Sequence, residues 1–205
     1  MKNKKNIRKR FVSIGLVIVL ALVCNITEYT IAFAAPTAKV SYKIEKKQQI
    51  RRCKKLTAQY LYELPQIKGN SPTIRKINKL LVADYKASLQ YRNSLFQCYK
   101  ALKKSSYKKI YYISKCSVTY NQNGYISFRF ASEWYAGGVG ESREYGLTYR
   151  LKDGKKLAVQ DVASGKKSNV KKNIATAYSK KLSGQGYSYV MKMKYSDFQF
   201  YIKPG

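Results

Sequence analysis

Between Ser71 and Leu102 apolar residues recur at intervals of three and four, at Ile74, Ile77, Leu80, Leu81, Tyr85, Leu89, Leu95 and Phe96. This long stripe predicts one amphipathic helix, and it constrains the fold more than any other feature of the chain. Ser71-Pro72 supplies the start: a hydroxyl for the first free amides, then a residue whose fixed φ suits the first turn. A helix with one apolar face must lie on something, and the chain beyond it is rich in strand signals. Tyr107 to Tyr120 and Tyr125 to Tyr135 flank Asn121-Gln122-Asn123-Gly124, where Asn-Gly can take the positive φ values of a tight hairpin. Gly146 to Leu151 and Lys155 to Val159 flank Asp153-Gly154 in the same manner. Before the helix, Ala38 to Ile44 begins with a short alternating stretch and Gln48 to Lys55 reads as a polar, basic connection. Leu56 to Leu64 alternates as a strand, which Pro65 to Asn70 closes with turn chemistry. Ser168 opens a second helix to about Leu182, with Ile174, Ala177, Tyr178 and Leu182 on one face, ended by Ser183-Gly184-Gln185-Gly186. A last strand spans Phe198 to Ile202. The expected fold is α+β, a mainly antiparallel sheet with two covering helices.

The N-terminus decides which residues belong to that fold. Six basic residues (Lys2, Lys4, Lys5, Arg8, Lys9, Arg10) precede a 14-residue apolar run from Phe11 to Cys24, and Ala32-Phe33-Ala34-Ala35 comes after it. This is the tripartite pattern of an export signal, with cleavage expected after Ala34. The run is shorter than the roughly 20 residues a membrane-crossing helix needs. An uncleaved anchor extended through Ile26, Tyr29, Ile31 and Phe33 is the alternative, but Asn25 and Glu28 interrupt it. Residues 1–34 are therefore a signal peptide, 35–106 hold the first strands and the long helix, and 107–205 hold the hairpins, second helix and terminal strand, the last two parts forming one unit.

Charge and composition then limit the chemistry. The chain has 41 Lys and Arg against 10 Asp and Glu, a net charge of +31, yet it is 45% hydrophobic with 20 Tyr, enough to build a core. Losing the signal removes the six bases and Glu28, which leaves 35 bases, 9 acids and a net charge of +26. The excess belongs to the exported domain, where it recurs in pairs such as Lys46-Lys47, Arg51-Arg52, Lys103-Lys104 and Lys171-Lys172. Outside a bacterial membrane such a field meets wall teichoic acids, anionic head groups and peptidoglycan carboxylates, or simply keeps the protein soluble. Nucleic acid would bind only without sequence specificity, and export argues against it.

Histidine is absent, which excludes Ser-His-Asp and Cys-His nucleophiles and His-ligated zinc. Cys53, Cys98 and Cys116 remain after cleavage with no Cys-x-x-Cys spacing, so no metal site is expected. Cys98, near a helix end, and Cys116, in the next strand, are the candidate disulfide, with buried free thiols as the alternative. No cofactor is implied. A carboxylate pair for glycoside chemistry would have to join Glu133 to Glu141 or Glu144, the latter two expected in a loop beside Arg143. Ser164-Gly165-Lys166-Lys167-Ser168 lacks the first glycine of a phosphate loop, having Gln160 there, and reads as a helix-entry turn. The candidate binding surface is Trp134-Tyr135 ahead of a flexible loop at Gly137, Gly138 and Gly140, with Tyr125, Tyr145 and Tyr149 on neighbouring strands. Flat rings with polar edges suit sugars or an extended partner. Strand propensity alone would also place tyrosines there.

The segment Leu64-Pro65-Gln66-Ile67-Lys68-Gly69, with Ile74 to Asn78 after it, resembles the start of the PdaC-type extracellular domain found before some polysaccharide deacetylases. Tyr125 to Phe128, Tyr135-Ala136-Gly137-Gly138, Tyr149 to Leu157 and Asp161-Val162 resemble the companion domain of unknown function shared with RsiV-type anti-sigma factors. The two together cover about residues 39–205. The resemblance implies a non-catalytic module, since the deacetylase chemistry of such proteins belongs to a separate domain. Three departures qualify it. Gly140 stands where the family commonly has His; only ten residues precede the apolar run, too few for a sigma-binding domain; and the family usually continues past Pro204-Gly205. The last is expected to leave an open sheet edge, suited to a second copy or another protein. RsiV-type receptors bind lysozyme, which is basic, so like charge disfavours that partner here. The sequence thus predicts an exported, wall-associated binding module of a Gram-positive envelope, held to anionic wall polymers or membrane by its charge, with peptidoglycan or a protein as possible partners. A truncated receptor without a present ligand and a wall-modifying enzyme are the alternatives.

Overall fold

Ser71 caps the long helix as its sequence requires: its Oγ accepts a hydrogen bond from the Ile74 amide at 3.2 Å, and Pro72 opens α1 (Pro72–Ala101). In the computed structural model, which describes residues 39–181, 184 and 186–203, α1 links two parallel neighbours in a six-stranded sheet. The strands are β1 (Tyr42–Cys53), β2 (Leu56–Ile67), β3 (Lys109–Gln122), β4 (Tyr125–Ala136), β5 (Val139–Arg150) and β6 (Lys155–Lys156), side by side in chain order. All neighbours are antiparallel except β2 and β3, because only that connection contains a helix long enough to return the chain to the same end. The α+β class and the mostly antiparallel sheet agree with the sequence.

One face of the sheet packs under α1. Alternate residues Leu56, Ala58, Tyr60, Tyr62 and Leu64 of β2 bury with Ile110 and Tyr112 of β3, Ile126, Phe128 and Phe130 of β4, and Leu147 and Tyr149 of β5. They meet Ile77, Leu81, Leu95 and Phe96 from α1. Past the last β2–β3 pair, Tyr62 with Ser114, Glu63 Oε2 accepts from the Cys116 amide at 2.9 Å, so a side chain takes over where the ladder stops. A second apolar cluster joins Leu157 and Val159 to Val170, Ile174 and Ala175 of α2 (Lys167–Lys181), Val190 of α3 (Tyr187–Lys192), and Phe198 and Phe200 of the terminal segment.

Several local expectations are corrected. Gln48 to Lys55 is no connection: β1 runs through it to Cys53 and pairs residue for residue with β2. Its mixture of charges hides the strand because neither face of an exposed edge strand has to be apolar. Pro65, Gln66 and Ile67 continue β2 instead of turning. The Gly137–Gly138 segment is a two-residue hairpin turn with φ of 62° and 79°, and β5 begins at Val139, so Gly140, Glu141 and Glu144 lie in a strand rather than a flexible loop. Lys155 to Val159 contributes only a two-residue strand. Phe198 to Ile202 forms no strand element: its backbone lies against Gly146, anchored by the Phe200 carbonyl accepting from Thr148 Oγ1 at 3.2 Å and the Ile202 amide donating to Ser127 Oγ at 2.9 Å. Cys98 and Cys116 do not pair; with Cys53 they are free thiols, Cys116 buried in β3 and Cys98 half-buried on α1. The signal segment, its cleavage site and Cys24 fall outside the described residues, among which no helix is long and apolar enough to cross a membrane.

Candidate functional site

On α1, Asp84, Ser88 and Tyr91 succeed one another at intervals of four and three, in phase with the buried Ile77, Leu81 and Leu95. The helix therefore turns a carboxylate, a hydroxyl and a phenol toward the sheet where an uninterrupted core would carry aliphatic residues. The register of β3, β4 and β5 sets rows of side chains beneath them. Tyr112, Trp134 and Glu141 form one row across three strands, Ser114, Ser132 and Arg143 the next, and Phe130 with Tyr145 a third. A cleft of about 150 Å³ opens between helix and rows, bordered also by Gln90 and, from the terminal segment, Gln199.

Asp84 organises its inner end. Its Oδ2 accepts from the hydroxyls of Tyr62 and Tyr145, each at 2.7 Å. Burial, followed by the neighbouring Tyr145 and Asp84 groups, raises the Tyr62 hydroxyl well out of its ordinary range, and burial followed by Asp84 does the same for Tyr145. Both phenols therefore stay protonated and act as fixed donors to the carboxylate, bonds of the charge-assisted kind. Tyr60 is pushed up to about 12 by burial and shares a 2.7 Å hydrogen bond with Ser88 Oγ, and burial likewise raises Tyr112. Tyr91 stacks on Tyr112 with centroids 4.8 Å apart, and Tyr112 stacks on Tyr60 at 5.6 Å, a three-ring column along one wall. Arg143 lies over the Tyr145 ring at 5.2 Å and donates from Nη1 to the Tyr91 hydroxyl at 3.2 Å.

Of the residues singled out in the sequence as the candidate binding surface, Trp134 enters this cleft together with Tyr145. Tyr135, the next residue on the strand, points to the opposite face, where it lines a shallow depression with Tyr111, Glu133, Gly140 and Ser142 that Trp134 and Glu141 also border. The two rings cannot form one platform. Gly137 and Gly138 are exposed at the turn, where an added Cβ would meet Leu102 or Tyr107 of the connection that follows α1. Tyr149 is 1% exposed, edge-on to Phe128 at 6.4 Å, and belongs to the core. The carboxylates separate as well. Glu141 shares the α1 face with Trp134, whereas Glu133 and Glu144 occupy the other face, Glu144 bonded to Arg129 and to the Tyr201 hydroxyl. Asp84 escaped notice in the sequence, although a signal was there: it is the one acidic residue of α1 and falls on the apolar stripe.

A different groove lies between β1 and α1. Gln49, Arg51, Arg92, Asn93, Phe96, Gln97 and Lys100 surround about 400 Å³, with the Arg51 guanidinium 4.1 Å above the Phe96 ring. It contains three cations, three amides and no carboxylate. Among the described residues no cluster of His, Cys, Asp or Glu could hold a metal ion.

No family model matches the chain, and no curated protein matches it. Among solved structures it is similar to a member of the DUF3298 family from Bacteroides fragilis, with a TM-score of 0.50 and 12% identity over 75% of this chain and 73% of that one. A DUF3298 family protein from Pseudomonas aeruginosa also aligns, with a TM-score of 0.44 and 12% identity over 74% of this chain and 72% of that one. DUF3298 is the domain of unknown function that accompanies RsiV-type proteins, the second of the two resemblances read from the sequence; the PdaC-type domain is not among these neighbours. At this identity the likeness is one of fold, shared with proteins of the DUF3298 family.

Proposed function

We propose that the chain is a non-catalytic binding module exported to a Gram-positive cell envelope and held there on anionic polymers, wall teichoic acid foremost, by positive charge. The groove between β1 and α1 carries this reading. Arg51, Arg92 and Lys100 converge there without a carboxylate, and Gln49, Asn93 and Gln97 add neutral hydrogen-bonding groups at the same rim. Guanidinium groups bind phosphates in two-point fashion, and the stacking of Arg51 on Phe96 fixes the plane of one of them. The turn that follows β1 adds the exposed Lys54 and Lys55. An anionic chain lying along β1 would displace counterions, so its affinity falls steeply with salt. The same charges discourage a second copy from pairing along this edge.

Retention of the signal-less protein on purified peptidoglycan, with and without its teichoic acid, across a salt series tests the idea. Binding that requires the teichoic acid and weakens with salt is the expected result, and an R51E/R92E/K100E variant should release at markedly lower salt. Retention that ignores both salt and teichoic acid would refute it.

A further inference from the structure

The cleft at Trp134 inverts the charge of the molecule around it. In a chain with 41 basic and 10 acidic residues, the acidic and basic side chains lining the cleft are Asp84, Glu141 and a single Arg143. A polyanion drawn to the rest of the surface has no reason to enter. A small cation is no better served, because Arg143 already lies over the Tyr145 ring and would repel it. The lining instead offers both hydrogen-bonding polarities at close quarters beside aromatic walls. Asp84 Oδ2 is filled by two phenols, whereas Oδ1 receives no hydrogen bond among the described residues and remains an acceptor, as does the Glu141 carboxylate. Arg143 keeps guanidinium N–H groups beyond the one given to Tyr91, and Gln199 adds an amide. Tyr91, Tyr112 and Tyr145 turn ring faces to one another or to Phe130, but among the described residues no ring stacks on Trp134. A half-buried indole that lines the cleft and carries no stacked ring, acceptors and donors around it, and about 150 Å³ of space match one six-membered ring bearing hydroxyls.

We propose that this cleft binds one neutral pyranose unit of a glycan, stacked on Trp134, with its hydroxyls donating to Asp84 Oδ1 and Glu141 and accepting from Arg143. The site is separate from the basic groove and does not depend on the reading given to that groove. A single ring held this way binds in the millimolar range, and a glycan gains affinity through the units that extend past the cleft mouth.

Trp134 is the only tryptophan of the chain, so tryptophan emission reports on its surroundings alone; Trp134 and Glu141 also border the depression around Tyr135, so the response is assigned to the cleft by R143A, a residue of the cleft and not of that depression. The full chain is titrated in about 0.5 M sodium chloride, which suppresses attachment through the basic groove. The probes are glucose, N-acetylglucosamine and their β-1,4-linked dimers and trimers, with choline and inorganic phosphate alongside. At least one pyranoside is expected to shift the emission saturably, and E141A and R143A, both at the cleft mouth, should weaken that response at least tenfold while melting as the parent does. The proposal falls if no pyranoside gives a saturable shift, if choline or phosphate gives an equal one, or if R143A responds as the parent. Because the titration is run in high salt, a failure here leaves wall retention untouched, and a failure of salt-dependent retention leaves this result standing.

Discussion

Replacing Gly146 with alanine isolates the contact that holds the end of the chain to the sheet. Gly146 needs no unusual backbone angle, so the effect is one of space alone. A Cβ built on it would stand 2.3 Å from the carbonyl carbon and oxygen of Phe200 and 2.5 Å from the Tyr201 nitrogen. These are backbone atoms, and no side-chain rotation relieves the clash. The terminal segment has to lift away, which endangers three hydrogen bonds: Thr148 Oγ1 to the Phe200 carbonyl at 3.2 Å, the Ile202 amide to Ser127 Oγ at 2.9 Å, and the Tyr201 hydroxyl to Glu144 at 2.7 Å. At about 1 kcal/mol each they contribute about 3 kcal/mol, and partial exposure of Phe200, now 5% exposed, adds about 2. A loss of about 5 kcal/mol lowers the melting temperature of a domain this size by about 10–20 °C. Gly140, on the same strand, is the control: its added Cβ would come no closer than 3.8 Å to the Tyr135 ring, so G140A should melt within a few degrees of the parent. Thermal unfolding followed by circular dichroism reads both variants. If G146A and G140A melt together near the parent, the terminal segment is not seated on Gly146 and the argument is wrong.

The buried network at Asp84 is non-additive: D84A strands the Tyr62 and Tyr145 hydroxyls and should cost about 2–4 kcal/mol, whereas D84A/Y62F/Y145F removes every partner and should melt above D84A. A urea-denaturation cycle decides this, and a triple variant no more stable than D84A would refute it. On the other face, Arg129 holds the Glu144 carboxyl below its ordinary 4.5, so this ion pair adds stability that is complete above that value and drains away as pH falls through the lower, folded value. The acid limb of a melting-temperature profile should therefore be shallower in R129M than in the parent, and parallel limbs would count against the pairing. Burial raises the Cys116 thiol and hides it, so iodoacetamide should label the half-buried Cys53 and Cys98 in the native protein but Cys116 only after denaturation; native labelling of Cys116 at an equal rate would contradict its placement.

How much of this was legible in the sequence depends on where each piece of information resides. The cap at Ser71-Pro72 and the Asn123-Gly124 hairpin, with φ of 51° and 77°, are decided by the residues that form them, and both stand where the sequence puts them. β1 is decided elsewhere: its charged pattern shows no period of two, and it becomes a strand because β2 offers twelve consecutive partners. The terminal segment is the converse, a pattern that suits a strand but whose backbone sits against Gly146, where only the absence of a side chain leaves room for it. The cleft is harder still to read, since its lining comes from positions as far apart as 84, 141 and 199, and only the α1 crossover and the β-register bring them together.

Trp134 illustrates the difference between finding a residue and finding its site. Its neighbour in sequence, Tyr135, suggested an aromatic pair, yet the pleat sends them to opposite faces, and the true companions of Trp134 are Tyr112 and Glu141, one strand away on either side. The clue lay on the helix. A lone acid on the core-facing stripe of a chain so rich in bases is costly to bury without partners, so Asp84 required buried donors, and the tyrosines of β2 and β5 are the residues able to supply them. The Asp84 bonds to Tyr62 and Tyr145 tie α1 to β2 and β5 at the inner end of the cleft. The residue that breaks the apolar stripe is therefore also the one that joins the helix to Tyr145, which lines the opening beside Trp134.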